Sequence, residues 1–117
     1  MPAITLAALL GFTGVVLGAL GAHGPVHEIL SRHAALAIWQ TAVFYHLVHA
    51  VGSLWAAERR PVTAWFWAAG ILFFSGSLYT LALTEIRWLG AVTPVGGLLF
   101  LIGWALVLKP QRPPKKG

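Results

Sequence analysis

The chain has 117 residues, 58% of them hydrophobic and 9% charged, far below the roughly 25% charged residues of soluble domains. Cysteine and aspartate are both absent, which excludes disulfides, thiolate metal sites, thiol nucleophiles and aspartate-dependent triads. The net charge of +5 does not imply a nucleic-acid partner, because Lys109, Arg112, Lys115 and Lys116 crowd a short tail and form no folded basic surface.

Four apolar stretches, residues 2–22, 34–57, 63–84 and 89–108, fill almost the whole length. Each is long enough to cross a hydrocarbon core of about 30 Å, which takes about 20 helical residues, and a helix satisfies its own backbone polar groups in lipid. The expected architecture is an all-α membrane protein. It consists of a four-transmembrane-helix bundle over residues 1–108, with a short interfacial amphipathic helix between the first two spans, and a basic, Pro-rich tail at 109–117. The lipid bilayer is its first partner.

The first stretch carries Ala7, Gly11, Gly14, Gly18 and Gly21 at spacings of four and three, so they share one helix face. Gly14 and Gly18 form a GxxxG pair. Small residues let backbones approach closely, which matters in lipid because apolar side chains gain little by leaving apolar tails. The face serves either packing against other helices of the same chain or self-association. Gly18 to Ala22 would suit a signal peptidase, but no Lys or Arg precedes the apolar run, so a retained helix is expected. His23-Gly24-Pro25 then marks a turn. From Pro25 to His33 the pattern becomes amphipathic, with Val26, Ile29, Leu30 and His33 on one flank and His27, Glu28, Ser31 and Arg32 on the other. Glu28 and Arg32 have the i,i+4 spacing of a surface ion pair, and a helix lying in the interface is expected.

The second stretch is the most polar, carrying Gln40, Thr41, Tyr45, His46 and His49 after Trp39. An ionisable side chain at mid-bilayer is costly and invites a functional explanation. The alternative is a neutral histidine hydrogen-bonded to another helix, with Ser75, Ser77, Tyr79 and Thr80 of the third stretch as partners. The third stretch opens after Pro61 with Thr63 as its expected N-cap, and its Phe73-Phe74-Ser75-Gly76-Ser77-Leu78-Tyr79 run suits close helix contact. The fourth begins near Leu89, where Thr93-Pro94 marks either the true helix start or a kink. Gly96, Gly97 and Gly103 again permit tight packing.

Charge sets the orientation. Arg59, Arg60 and the tail cations fall on the side of both termini, against Arg32 and Arg87 on the other, so the positive-inside rule places both termini in the cytoplasm. Trp55, Trp65 and Trp67 flank the arginine loop, Trp39 and Trp88 lie toward the opposite interface, and Trp104 lies near the inner end of the last span, as interfacial belts would. No cofactor is predicted. A bis-histidine haem needs histidines on two facing helices, and only the second span has them at depth, which leaves a haem or pigment shared between subunits open. His23, His27, Glu28 and His33 match no standard metal spacing, so no metal is expected.

Gly18-Ala19-Leu20-Gly21-Ala22-His23-Gly24 and Trp39-Gln40-Thr41-Ala42 with Tyr45 and His49-Ala50 resemble the first half of the small YgdD/YwdK-like inner-membrane proteins. Phe74-Ser75-Gly76-Ser77-Leu78-Tyr79, Leu89-Gly90-Ala91-Val92-Thr93-Pro94-Val95-Gly96-Gly97 and Gly103-Trp104 resemble the second half. The resemblance runs from about Leu9 to Leu108. Human transmembrane protein 256 looks like a distant relative. The resemblance implies a four-helix bacterial inner-membrane protein with no established activity. It departs at His46, where a glutamine is expected, so His23 and His49 are the better candidates for a shared role.

Three function classes follow. The first is a non-catalytic interaction or accessory subunit of a membrane complex, with a protein partner or a homo-oligomer in the membrane. The second is a binding or transport protein for a small or lipid-like molecule, with His23, Trp39, Gln40, Tyr45 and His49 lining a site between helices and Ser75 nearby. The third is an enzyme using His49 or His23 as acid or base.

Overall fold

Apolar stretches of this length can send their backbone N–H and C=O groups nowhere but along themselves, and helices result. A computed structural model describes residues 1–110, and every regular element among them is helical. Of the tail expected at 109–117, residues 111–117 lie outside the described residues. In chain order come α1 (Ala3–Ala22), α2 (Gly24–Arg32), α3 (Leu36–Arg59) and α4 (Pro61–Gly70). A π-helical turn (Ile71–Ser75) leads into α5 (Gly76–Thr84). A 3-10 turn (Arg87–Ala91) then leads into α6 (Thr93–Leu108).

Among the described residues three segments are both long and apolar enough to cross a membrane: Ala3–Ala22, Pro61–Thr84 and Arg87–Leu108. At 24 residues α3 has the length, but its glutamine, tyrosine and histidines make it too polar to join them on hydropathy. Four spans were expected, and three meet both criteria.

α3 packs along α1 on one side and along α4, the π turn and α5 on the other, while α6 closes against α4 and the π turn. Two buried clusters mark the ends of this stack. One joins Ala56, Ala64, Trp67, Ile71 and Phe100 to Ala3, Leu10 and Val107. The other joins Leu30, Ala35, Trp39 and Ala82 to Leu17, Val26 and Tyr79. The start of α1 therefore meets the end of α3, and its end meets the start of α3, an antiparallel pair in contact along its length.

Glycine makes two of these contacts possible. A Cβ on Gly21 would overlap the Trp39 indole, and a Cβ on Gly96 would overlap the backbone of Phe74 in the π turn. Elsewhere on the small-residue face, Gly14 sits beneath Leu47 and His46, and Gly18 faces Val43. Gly11 has open space over it, and Gly76 and Gly97 have only ordinary contacts.

The turns follow local chemistry. α2 ends in a Schellman motif, with Ala35 N–H donating to Leu30 O (2.8 Å) and Ala34 N–H to Ser31 O (3.2 Å). Ala34 occupies the left-handed position at φ 52°, where an alanine costs about 1 kcal/mol relative to glycine. At the other end Arg60 donates to the carbonyls of Leu106 and Lys109, capping the open C-terminus of α6 with a cation.

Several expectations need correction. Thr63 is not an N-cap. α4 starts at Pro61, whose missing N–H is no loss there, and Thr63 lies buried in the first turn with its hydroxyl unpartnered. Trp39 and Trp67 are not belt residues but core residues, because each finds a carbonyl on a neighbouring helix for its N–H. Trp55, Trp65 and Trp88 do remain exposed. Glu28 and Arg32 form no ion pair; the pair near this end is His33 Nε2 with Glu85 Oε1 at 3.7 Å. Of the two alternatives for Thr93-Pro94, the structure has the helix start and not the kink, and the 3-10 turn before it lengthens the segment to 22 residues.

Candidate functional site

The two buried histidines of α3, His46 and His49, occupy the layer between the two apolar clusters. His46 Nε2 lies 2.8 Å from Leu10 O, and Nδ1 lies 2.9 Å from Tyr79 Oη. A carbonyl only accepts, so Nε2 carries the hydrogen, and Nδ1 takes the hydrogen of the Tyr79 hydroxyl. Thr13 Oγ1 stands 3.3 Å from Nε2 and donates to Leu10 O at 3.1 Å. One imidazole thus ties α3 to α1 and α5. Above it Trp39 Nε1–H donates to Leu17 O (2.8 Å), and its ring packs on Tyr79 with centroids 4.7 Å apart.

His49, one turn further along, takes the opposite tautomer. Nδ1–H donates to Tyr45 O at 2.8 Å, and Nε2 accepts from Trp104 Nε1–H at 3.0 Å, which links α3 to α6. The ring stacks on Phe100, with centroids 3.7 Å apart and planes 7° from parallel. Ser75 Oγ–H donates to Ala42 O (2.7 Å) from the π turn, and Ser77 meets Thr93 at 2.6 Å. Both histidines have each ring nitrogen engaged.

The residues singled out from the sequence do not form one site. Trp39 and Gln40 border a groove of about 330 Å³ between α1 and α3, floored by Gly18 and Gly21. Tyr45 and His49 border a different groove of about 540 Å³ beside α6, with Phe74, Gly97, Phe100, Leu101 and Trp104. His23 is exposed and borders neither, and Ser75 is buried away from both. A third groove, about 420 Å³, holds His33, Glu85 and Arg87 at the end of α5.

His46 is the residue that sequence reasoning underrated. The glutamine expected in its place would offer the same donor and acceptor from one side chain, a signal that could have marked the position as a helix clamp. Phe100 and Trp104 were missed as partners of His49, because an aromatic residue in an apolar helix looks alike whether it faces lipid or protein. His27 and His33 cap backbone instead, donating to Gly21 O and Ala82 O, each at 2.9 Å. Among the described residues no three His, Cys, Asp or Glu side chains gather as a metal site would require.

An all-helical protein with apolar helices long enough to cross a bilayer, its mid-helix histidines buried, is an integral membrane protein by construction of its surface. Residues 17–97 match the family described as "Protein of unknown function (DUF423)", and the chain belongs to that family. It is 43% identical over 116 residues to the UPF0382 inner membrane protein YgdD of Escherichia coli K12, covering 90% of this chain and 85% of that one. It is 40% identical over 114 residues to the UPF0382 membrane protein YwdK of Bacillus subtilis, covering 90% and 91%. A UPF0382 membrane protein of Staphylococcus epidermidis is 41% identical over 112 residues, covering 90% of each chain. No solved structure matches. The family read from the motifs is thus the family found.

Proposed function

We propose that this is a four-span inner-membrane protein with both termini in the cytoplasm, acting as a non-catalytic interaction subunit that docks through its helix surfaces onto a membrane partner. The observation that carries the reading is the saturated hydrogen bonding of the two buried histidines. Both nitrogens of His46 and Nε2 of His49 are spent on joining helices, and Nδ1 of His49 is held by its own helix, which leaves neither nitrogen pair free to act as acid or base. The fourth span is α3. It runs antiparallel to α1 along its length, and at about 1.5 Å per residue its 24 residues reach about 36 Å. Its two histidines are tolerated because they are buried against protein.

Gentle detergent extraction followed by native mass spectrometry tests the function. A stoichiometric complex with a larger membrane protein is expected, and isolation as a lone chain across several mild detergents would refute it. Topology has a separate test. A reporter fused after Leu108 should be active in the cytoplasm, and a single cysteine placed at His33 should react only from the outer side.

A further inference from the structure

The groove beside α6 contains a polar group that the fold does not use. Tyr45 borders it, 38% exposed, and its hydroxyl has no hydrogen-bond partner among the described residues, while every ring nitrogen of His46 and His49 has one. Counted along α3, Tyr45 stands about 14 Å from the Leu36 end and about 21 Å from the Arg59 end. A tyrosine side chain cannot bridge that distance to headgroup water, so its hydroxyl sits where no solvent can satisfy it. The walls around it are aromatic. The Tyr45 ring lies 4.6 Å from Phe74 and runs nearly parallel to Phe100 and His49, at 12° and 9°. Trp104 closes one end, and Leu101, turned toward lipid, leaves the side open.

We infer that this groove binds a hydrophobic molecule carrying a flat, carbonyl-bearing ring on an apolar chain, the chemistry of a membrane quinone, with the Tyr45 hydroxyl donating to the carbonyl. Three features select that class. Aromatic walls favour the face of a flat conjugated ring over a methylene chain. The free hydroxyl needs an oxygen at half-depth, and phospholipid ester carbonyls stay at the level of the headgroups. The lateral opening admits a ligand directly from the bilayer. Gly97 makes room, since even a Cβ there would be 3.9 Å from Phe74. The inference rests on α3 crossing the membrane, which the reporter and cysteine labelling test independently.

The test uses the full chain in lipid nanodiscs with decylubiquinone as probe, reading quenching of tryptophan fluorescence, to which Trp104 in the groove wall responds. Saturable quenching is expected above the linear background of partitioning. Tyr45→Phe removes only the hydroxyl and should weaken binding about fivefold to tenfold, the value of one hydrogen bond. Gly97→Leu fills the groove and should abolish the saturable phase while leaving the helical circular dichroism intact. Linear quenching in all three proteins would overturn the inference, as would saturable binding that neither substitution changes. The chain has no native cysteine, so Leu101→Cys gives a further control. Efficient disulfide-linked dimers of that variant would show that a second copy of the chain fills the groove, which also overturns it.

Discussion

Gly96 and Gly97 are neighbours on α6, yet adding a methyl group to each should have opposite effects. A Cβ on Gly96 would lie 2.6 Å from both Cα and Cβ of Phe74, where carbon atoms need about 3.5–4.0 Å. The obstruction is backbone, so no rotamer change relieves it, and α6 must move out by roughly 1 Å. Such a gap forfeits a quarter to a half of the dispersion energy across the contact. It would also stretch the 3.2 Å bond from Trp67 Nε1–H to Phe100 O beyond bonding range, which removes about 1 kcal/mol. Overpacking costs about 1–3 kcal/mol even where side chains can adjust. Against this stands a helix-propensity gain of about 1 kcal/mol for Gly→Ala. The net expectation for Gly96→Ala is a loss of about 2–3 kcal/mol. Gly97→Ala meets Phe74 Cδ2 only at 3.9 Å and should keep the propensity gain, ending neutral or up to about 1 kcal/mol more stable. Reversible unfolding in mixed micelles of increasing denaturing-detergent fraction measures both. Equal stability changes for the two variants would refute the reasoning, because they would show that α6 does not rest on the π turn.

Thr63→Val replaces a buried, unpartnered hydroxyl with a methyl of the same shape. It should be neutral or stabilising by about 1 kcal/mol in the same unfolding assay, and a loss of comparable size would reveal a partner for that hydroxyl. A double-mutant cycle of His46→Leu and Tyr79→Phe should give a coupling of about 1 kcal/mol, whereas strictly additive effects would dissolve the link between α3 and α5. Gly14→Leu must displace Leu47 and His46 and should destabilise the monomer, while Gly11→Leu points into open space and should not. A drop in oligomeric state on Gly11→Leu, read by native mass spectrometry, would mark that part of the face as a contact between copies.

How much of this was legible beforehand differs from residue to residue. The sequence by itself determined the class, the family, and the ends of the helices to within a few positions. Length, hydropathy and turn residues are local properties: Gly24 at φ 79° and Pro61 at the first position of α4 act through their own backbones. Tertiary structure decided the rest. The sequence does not tell Trp39 and Trp67, each buried under a neighbouring helix, from Trp55 and Trp65, which face outward. It offered Tyr79 among several partners for the histidines, but it could not send His46 toward α1 and α5 and His49 toward Trp104. Nor does any composition signal announce the π turn that brings Ser75 to Ala42 O and the Phe74 backbone to Gly96. The physical reason is the solvent. In water a helix declares its inner face by being apolar on one side, but in lipid both faces are apolar, and only contact between helices shows which side is protein.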